Sequence, residues 1–539
     1  MSALREAAGR RWDAIVVGGG IAGLSAAWEF SRAGLRPLVL EARGYPGGQI
    51  AAMPVGGAMI DIGAESFAPR GTAVSSMLEE LGLQIEEPGG GRPFLFLPPL
   101  PTPAPASAIG GARGDGRGLS GASRGATNGS TAPAEWVLRP FAERALMGVP
   151  ADPGLPGVRA ILGDEGVARA LLDRSLDPSL GADAPDLASF VEARMGRAVL
   201  ERLVRPIVAG IHSTDPSLLA VDRVVPGLRE GLAARGSLAG AVEAMLAASS
   251  GRRGDVGIRG GMRALVAALV RSVEEAGGLV LTRVGARSLA RSRSSEALPP
   301  DSRDGAVHPA TGARWALEAA PTTPAPTPSE EPVPAGPVVR LEADRVVLAS
   351  SPPAARRLLA PFVGGVADLA LPQGAPIVRC FLAVRAPGLD RAPVGPGLLV
   401  APDEGAPVRA KALSQLDLKW SGVAEALRAA HGPHAHLLRL SYGRPGEEER
   451  APSLDEILHD AAILTGVPLS EEDVLDHRVV HWNGTLAQPG PSLRAQIDEA
   501  RAAVDALGRI GLTGAWAAGS GVSRVVEDAR TRARALLPL

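Results

Sequence analysis

The stretch from Ala14 to Gln49 constrains the fold most strongly, because it contains in order an apolar run, a glycine-rich turn, a helical segment and a second apolar run. The first run predicts a short buried strand, and Gly18, Gly20 and Gly23 follow it with G-x-G-x-x-G spacing. In such a turn the first glycine permits a sharp reversal, the second lets the backbone approach a diphosphate, and the third lets the helix pack against the strand. The helix N-terminus then attracts the anion. The stretch therefore predicts a dinucleotide site.

Glu41 closes the second apolar run, Pro37 to Leu40, and lies 18 residues after Gly23. A carboxylate about 20 residues beyond the glycines binds the ribose hydroxyls in dinucleotide sites. Glycine spacing alone also occurs in ordinary loops. Strand, glycines, helix, second strand and terminal acid in this order are more specific, and they favour nucleotide binding over a structural turn.

The motifs of this stretch resemble those of the flavin amine oxidase and protoporphyrinogen oxidase superfamily. Its FAD segment has the order GGGxxGLxxA, LEA and RxGG, and this chain has Gly18 to Leu24, Leu40 to Ala42 and Pro46 to Gly48. Gln49 departs from the pattern, because the family usually has Arg after the glycine pair. The resemblance implies FAD as the cofactor, with these contact residues: Gly18, Gly19, Gly20, Ile21, Ala22, Gly23, Glu41, Ala42, Arg43, Gly47, Gly48, Gln49, Gly63, Ala64, Glu65 and Ser66.

A C-terminal segment, Leu512 to Val522, resembles the family's GAxxxGxGI motif and opens a last helix. The N-terminus of that helix would direct its positive dipole at the flavin pyrimidine. In relatives a backbone group near Val284 meets the adenine. The resemblance thus adds the following cofactor residues: Val284, Trp482, Gly519, Ser520, Gly521 and Val522.

The segment from Arg205 to Pro216, followed by Gly236-Ser237, resembles the porphyrinogen oxidase branch rather than the amine oxidases. Arg205 stands where that branch has an acid, and His212-Ser213 stands where an aromatic residue and Ala are usual. The resemblance implies a porphyrinogen substrate, whose propionates need cations. Arg70 is the first candidate, since Arg binds carboxylates bidentately, with a solvated surface cation as the alternative. His212 is a second pocket candidate, with a structural histidine as the alternative.

Lysine usage singles out one further region, because Lys411 and Lys419 are the only lysines of the chain. Two lysines within one predicted loop, in a chain that otherwise uses Arg, suggest that compact ammonium groups matter there. Relatives often have a similar pairing, which favours substrate binding over two chance surface lysines. No residue stands out as the general base.

The expected fold class is α/β. We expect a Rossmann-like FAD-binding domain of the glutathione-reductase type from residues 11–77, 245–290, 340–362 and 505–537, and a helical subdomain at 138–205 that includes Leu146 to Pro150. A mixed-sheet substrate domain would use residues 78–100, 206–244 and 363–504. Residues 101–133 and 292–337 are low in complexity and predict insertions, although Arg314 to Leu317 could form a strand.

Composition narrows the class of protein further. Hydrophobic residues make up 45%, charged residues 21% and the formal net charge is −2, so the chain offers no overall attraction to nucleic acid. One cysteine, Cys380, excludes an internal disulfide and suits the cytoplasm. Its distance in sequence from the C-terminal motif favours non-covalent FAD.

There is no apolar run of about 18 residues and no signal pattern. Peripheral membrane contact stays open.

The leading hypothesis is oxidation of coproporphyrinogen III to coproporphyrin III, with oxygen as acceptor, hydrogen peroxide as by-product, and ferrochelatase or other haem-pathway enzymes as candidate partners. Protoporphyrinogen IX is the alternative substrate. A flavin amine oxidase needs an aromatic cage, commonly of tyrosines, yet the chain has only two tyrosines, Tyr45 and Tyr442. A flavin-retaining tetrapyrrole carrier without turnover is a further alternative. His431, His434 and His436 lack the cysteine or carboxylate pattern of a metal site, and we expect none.

Overall fold

The computed structural model describes residues 2–69, 71–100, 135–248, 254–292, 314–325, 328, 330–371, 374–482 and 490–538. Arg70 and the predicted insertion at 101–133 lie outside these residues. The bounds of the strands and helices follow.

The strands in chain order are β1 (Trp12–Val17), β2 (Pro37–Glu41), β3 (Ala52–Val55), β4 (Ala58–Asp61), β5 (Ile85–Glu86), β6 (Phe94–Leu97), β7 (Val137–Pro140), β8 (Ala145–Leu146), β9 (Val149–Pro150), β10 (Gly257–Ile258), β11 (Leu279–Thr282), β12 (Val284–Ser292), β13 (Arg314–Pro321), β14 (Val339–Leu348), β15 (Ile377–Arg385), β16 (Gly397–Val400), β17 (Ala412–Gln415), β18 (Ala435–Tyr442), β19 (Val474–Trp482) and β20 (Ile510–Leu512).

The helices in chain order are α1 (Ser2–Ala8), α2 (Ile21–Arg32), α3 (Ala73–Glu80), α4 (Pro156–Leu171), α5 (Leu187–Met195), α6 (Arg197–Val199), α7 (Arg205–His212), α8 (Val221–Val224), α9 (Leu228–Arg235), α10 (Leu238–Ala248), α11 (Arg263–Glu275), α12 (Pro352–Leu359), α13 (Leu416–Lys419), α14 (Ser421–His431), α15 (Leu454–Thr465), α16 (Pro491–Ala506), α17 (Ala515–Ala518) and α18 (Val522–Ala535). Between α6 and α7 the chain makes a π-helical turn, Leu200–Val204.

The first sheet contains the glycine-rich turn. Among the described residues its strands run in the order β11-β2-β1-β14-β13-β12, with β20 also paired to β14. β1 pairs in parallel with β2 and with β14, as the strand–turn–helix–strand pattern predicts. Alternate residues of β1 enter two cores, Ile15 on one face and Val16 on the other, because helices cover both faces. The predicted α/β fold class is confirmed.

The second sheet is mixed, as predicted for the other half of the chain. Its described strands run in the order β19-β15-β18-β17-β16-β6-β7, and only the pairing of β16 with β6 is parallel. One face carries Cys380, Leu440 and Tyr442 into a core shared with α15. The opposite face carries Phe381 and Trp482 together with two arginines.

A separate core lies beneath α4, α5, α7, α9 and α10, so the helices that share it continue past residue 205, where the helical subdomain was expected to end. The helical prediction is wrong for Leu146 to Pro150, where β8 and β9 form an antiparallel pair. Met147 and Gly148 join them at φ values of 50° and 86°, and a helix cannot contain two such residues. A Cβ at Gly148 would lie 2.5 Å from the carbonyl oxygen of Leu203.

Two local predictions concern the regions around the insertion and the lysines. The predicted strand at Arg314 is confirmed, because β13 pairs with both β12 and β14. Lys411 and Lys419 do not share a single loop, since β17 and α13 occupy most of the sequence between them.

In the part of the chain that the structure describes, no helix is long and apolar enough to cross a bilayer.

Candidate cofactor and substrate site

The glycine-rich turn is built so that two glycines serve the fold and one leaves room for a ligand. Gly18 has φ 105°, and a Cβ there would lie 2.5 Å from the carbonyl oxygen of Ala349; a Cβ at Gly23 would lie 1.8 Å from the carbonyl oxygen of Gly18. Gly20 differs, with φ −69° and nothing closer to an added Cβ than the Cα of Gly48 at 3.8 Å. Packing within the chain therefore does not require glycine at position 20, but the close approach of a diphosphate does.

The N-termini of α2 and α18 lie side by side at this turn. Ala22 in the first turn of α2 packs against Val525 and Ala529 of α18. Gly20 and Gly521 are the respective N-cap residues. Because the first N–H groups of each helix have no acceptor within the helix, the pair concentrates positive partial charge at one place. The C-terminal candidates Gly519, Ser520, Gly521 and Val522 are thereby brought to the glycine-rich turn.

The predicted ribose ligand, Glu41, is held at the end of β2. Its Oε2 accepts from the backbone N–H of Gly19 and its Oε1 from that of Arg43, both at 2.7 Å. Burial raises the pKa of Glu41, although these hydrogen bonds oppose the shift. Arg283, next to Val284, donates its N–H to the carbonyl of Arg43 at 2.8 Å. The structure thus brings Glu41, Ala42, Arg43 and Val284 together on the β2 side of the turn.

The guanidinium of Arg43 contacts a segment nearly 300 residues later in the chain. Its Nη2 donates to the carbonyl oxygens of Pro328 at 2.7 Å and Glu330 at 2.8 Å. Those two residues belong to the predicted second insertion, and this described part of it contacts the nucleotide segment.

The loop after Glu41 connects the glycine-rich turn to the second group of cofactor candidates. Gly47 donates its N–H to the carbonyl of Gly19 at 2.8 Å, and the carbonyl of Gln49 accepts from Ala64 at 2.9 Å. A Cβ at Gly63 would lie 1.9 Å from the carbonyl oxygen of Gln49, so only glycine fits there. Because Glu41 occupies the opposite side of the turn, Gln49 and Gly63 mark the end at which the flavin half of a dinucleotide would lie.

Trp482 and Arg379 hold the backbone just before this point. Trp482 Nε1 and Arg379 Nη1 both donate to the carbonyl oxygen of Ile62, each at 2.9 Å, and Arg379 also bonds the carbonyl of Gly63. Burial, with a smaller effect from Arg439, lowers the pKa of Arg379 to about 10. The guanidinium therefore remains charged near neutral pH.

Glu65 lies at the centre of a charged cluster between the two sheets. Its Oε1 pairs with Lys419 and its Oε2 with Arg439, while Ser414 accepts from Arg439 Nη2 at 3.0 Å. Burial alone would raise the pKa of Glu65, but Arg439 and Lys419 lower it to about 2. We call Glu65, Arg379, Lys419 and Arg439 the Glu65 cluster. It joins a candidate cofactor residue, Glu65, to a candidate substrate residue, Lys419.

Lys411 contacts Ser213, the residue that follows His212 in the chain. Lys411, only 4% exposed, donates from Nζ to Ser213 Oγ at 3.0 Å and to the carbonyl oxygen of Gly443 at 2.6 Å. Burial, then repulsion from Arg444 and Arg379, lowers the pKa of Lys411 to about 7. His212 precedes Ser213 at the end of α7, and burial lowers its pKa. Two segments identified separately in the sequence are thus in contact.

Arg379 and Arg439 are site residues that the sequence reasoning missed. Each is a single charge within an otherwise apolar strand, Ile377 to Val384 for Arg379 and Leu437 to Leu440 for Arg439. A lone arginine in a strand with a core on both faces must reach a carboxylate or a ligand. That interruption was the available signal.

Two of the three histidines considered for a metal, His434 and His436, pair with carboxylates instead. His436 Nδ1 lies 2.9 Å from Asp417 Oδ2 and Nε2 lies 3.0 Å from Asp390 Oδ1, while His434 Nδ1 lies 2.6 Å from Asp390 Oδ2. Among the residues that the structure describes, no set of three or more His, Cys, Asp or Glu side chains is placed to hold a metal ion. These contacts connect α13 to β18.

A groove of about 450 Å³ lies beside the cofactor segment but away from the Glu65 cluster. Tyr45, Ile50 and Arg271 line it, along with other residues of α11. The groove includes neither the glycine-rich turn nor a candidate substrate residue. It places Tyr45 on the outer side of the cofactor loop.

Comparison with known proteins gives a family match over nearly the whole chain. Residues 21–537 match the model for flavin containing amine oxidoreductase. Coproporphyrinogen III oxidase of Mycobacterium tuberculosis (strain CDC 1551 / Oshkosh) is 26% identical over 531 residues, which cover 95% of each chain. The protein of the same name from Mycobacterium leprae (strain TN) is 25% identical over 505 residues, or 90% of each chain.

Solved structures share the fold at low sequence identity. A chain from Exiguobacterium sp. 255-15, provisionally named a protoporphyrinogen oxidase, matches with a TM-score of 0.71 and 19% identity, covering 98% of this chain and 99% of its own. Cyclohexylamine oxidase from Brevibacterium oxydans IH-35A matches with a TM-score of 0.57 and 15% identity, over 98% and 99%. The same fold therefore serves more than one class of named oxidase.

Proposed function

The chain belongs to the flavin containing amine oxidoreductase family, and from that membership we propose that it oxidises coproporphyrinogen III to coproporphyrin III with non-covalent FAD. Oxygen is the proposed acceptor. Each two-electron step removes a hydride and a proton from the substrate and reduces one molecule of oxygen to hydrogen peroxide. Three such steps give the porphyrin. Full-length similarity to proteins named coproporphyrinogen III oxidase supports this substrate.

The glycine-rich turn fits a dinucleotide, because Gly20 is open while Gly18 and Gly23 are constrained by packing. In the proposed complex Gly18 to Gly23 would hold the diphosphate, Glu41 the ribose, and Gln49, Gly63 and Trp482 would border the flavin. Bound FAD would supply hydride acceptance, which no amino-acid side chain can perform. The chain's own tasks are to orient the porphyrinogen and to neutralise its carboxylates.

The observation that most favours a porphyrinogen over an amine is the position of the two tyrosines. An amine site needs an aromatic cage, commonly of tyrosines, and the sequence has only two tyrosines, Tyr45 and Tyr442. Tyr45 lines the outer groove, while Tyr442 is 1% exposed in the core beneath the second sheet. Tyr45 packs against the cluster that contains Trp482, whereas Tyr442 lies on the opposite face of the sheet, so the two tyrosines do not face one another as a pair. Cations, rather than a pair of tyrosines, surround the proposed flavin end.

Glu65 is a poor proton acceptor, because a carboxyl with a pKa of about 2 binds protons too weakly near neutral pH. Its role in the proposal is to fix Lys419 and Arg439. Lys411 and His212 remain proposed substrate contacts, together with Arg70. Lys411→Ala should raise the Michaelis constant for the porphyrinogen while FAD stays bound, and an unchanged Michaelis constant would contradict the assignment.

The experiment is to measure oxygen consumption and porphyrin fluorescence of the FAD-loaded protein with coproporphyrinogen III and protoporphyrinogen IX in parallel. Faster turnover of the first supports the proposal. The reverse preference makes the protein a protoporphyrinogen oxidase with the same site. Oxidation of neither by a flavin-bound protein refutes both. In that case anaerobic addition of porphyrinogen identifies a carrier, which would leave the flavin oxidised, and primary amines test the remaining class.

A further inference from the structure

The Glu65 cluster carries more positive charge than its carboxylate neutralises. Arg379, Lys419 and Arg439 surround Glu65, which among the described residues pairs directly with Lys419 and Arg439. The nearby Asp61 carboxyl accepts instead from the backbone N–H groups of Met262 and Arg263. Arg379 instead donates to the backbone carbonyls of Ile62 and Gly63. Lys419, Arg439 and Glu65 have side chains that are 17%, 13% and 13% exposed. Within the described residues the cluster thus has a formal charge of +2 in a poorly hydrated place.

Such an excess is costly unless a negative charge joins it. Removing an ion from water is unfavourable, and attraction to a partner offsets this only when the charges balance. Mutual repulsion of Arg379 and Arg439 and their burial both oppose the charged state, yet the pKa of Arg379 remains about 10. With the pKa of Glu65 at about 2 and that of Arg379 at about 10, both of these groups remain charged near neutral pH. The excess is therefore a fixed feature of the site.

The cluster adjoins the proposed flavin end of the cofactor site. Arg379 bonds the carbonyl of Gly63, whose Cα packs against the carbonyl of Gln49, next to the loop that contacts Gly20. Glu65 follows Gly63 by two residues. A ligand that extends from Gly20 past Gln49 reaches this side of the second sheet.

The geometry points to a role for Arg379 and Arg439 in setting the redox potential of the bound flavin, with Glu65 moderating their effect. Two electrons and one proton convert the neutral oxidised ring into an anion. Fixed cations stabilise that anion relative to the neutral ring and raise the potential, because charge near the ring nitrogens tunes flavin electronics. This inference rests on the proposed function only in requiring a bound flavin. It does not depend on the substrate.

The test compares three substitutions in the flavin-loaded full chain. Sulfite is the probe, since it adds reversibly to oxidised flavin and leaves the ring negatively charged. Arg379→Met should weaken sulfite binding at least tenfold and lower the midpoint potential, a tenfold preference being about 30 mV for a two-electron couple. Glu65→Gln should do the opposite on both measurements. Arg379→Lys, which keeps the charge, should remain near the wild type.

Arg385→Met is the matched control. Arg385 lies at the far end of the same strand, is exposed, and donates to the carbonyl oxygen of His431 at 3.2 Å. Its loss should leave sulfite binding and potential unchanged. A loosened fold would shift Arg379→Met and Glu65→Gln in the same direction, whereas an electrostatic role shifts them in opposite directions.

Equal shifts for Arg379→Met and Arg385→Met would overturn the inference, as would shifts of the same sign for Arg379→Met and Glu65→Gln. A raised Michaelis constant for porphyrinogen with unchanged potential would assign the arginines to substrate instead, and also overturn it. A protein that binds no flavin overturns it outright. Since neither sulfite nor potential requires porphyrinogen, the opposite shifts can occur in a protein that oxidises none, which separates the two proposals.

Discussion

Lys411 donates a hydrogen bond from Nζ to Ser213 Oγ across 3.0 Å, although 198 positions separate the two residues in sequence. Its second acceptor is the carbonyl oxygen of Gly443 at 2.6 Å. The lysine therefore fixes the end of α7 against the second sheet. It does so at a cost, because its burial opposes the charge that strengthens both hydrogen bonds.

Lys411→Met should stabilise the protein increasingly as pH falls toward neutrality. The pKa of Lys411 is about 7 in the folded chain and 10.5 for an ordinary lysine. Between these values the unfolded chain binds more protons, so the stability of the wild type decreases as the pH decreases. From pH 9.5 to 7 the gain of the variant should grow by about 3 kcal/mol, and it should level off below pH 7. Urea unfolding of both proteins at each pH measures this gain in stability. A gain that is independent of pH would contradict the buried ammonium.

His436→Gln should cost most stability in mildly acidic solution. Burial lowers the pKa of His436, but hydrogen bonds and charges of Asp417 and Asp390 outweigh it and raise the pKa above 6.5. The stabilisation is therefore complete below pH 6.5 and is lost as pH rises through the folded pKa. Melting temperatures measured from pH 5.5 to 9 should show that the difference between wild type and variant becomes smaller as the pH rises. His477→Gln, at an exposed site on β19, should show no such trend.

Arg194→Met should destabilise the helical subdomain by about 3–5 kcal/mol, the typical effect of leaving a buried charge without its partner. Arg194 and Asp173 are both 0% exposed, and Nε lies 2.8 Å from Oδ1. Asp173 also accepts from the N–H groups of Leu238 and Ala239. Arg159→Met, in the exposed pair with Asp164, should cost under about 1 kcal/mol by urea unfolding. Similar costs for the two would refute the assignment of a buried pair.

Gly20→Ala should separate nucleotide binding from folding. An added Cβ meets nothing closer than 3.8 Å within the chain, so flavin-free stability should fall by less than about 1 kcal/mol. The same Cβ would obstruct a diphosphate, and FAD should bind at least tenfold more weakly by fluorescence titration. Gly157→Ala, in open space on α4, is the control and should alter neither. Unaltered FAD affinity in Gly20→Ala would place the dinucleotide elsewhere.

The predictions that succeeded rest on short-range patterns. β1, α2 and β2 follow the apolar runs and glycines of one continuous stretch, and all their bounds lie close to the expected ones. The helix predicted across Leu146 to Pro150 failed because Met147 and Gly148 adopt positive φ, which apolar spacing does not reveal. Turn geometry is set by backbone fit against Leu203, a residue more than fifty positions away.

The charged part of the site depends on long-range pairing. Glu65 meets Lys419 and Arg439 across 354 and 374 positions, so no local pattern could link them. The lysines stood out by rarity, whereas Arg379 and Arg439 were hidden among many arginines. Each interrupts an apolar strand, but that local signal does not show that the pairing of β15 with β18 places both guanidinium groups on one face.

Adjacent residues of β15 have opposite environments, and this bears on how long such an enzyme survives. Arg379 faces the proposed flavin, while Cys380 faces the core, is 0% exposed, and has its pKa raised to about 12 by burial. Peroxide attacks thiolates, and almost none exists at such a cysteine. With oxygen as the proposed acceptor, every turnover releases oxidant beside the chain's one sulfhydryl. Because side chains alternate along the strand, that sulfhydryl lies in the core, where peroxide from the proposed reaction would find almost no thiolate to attack.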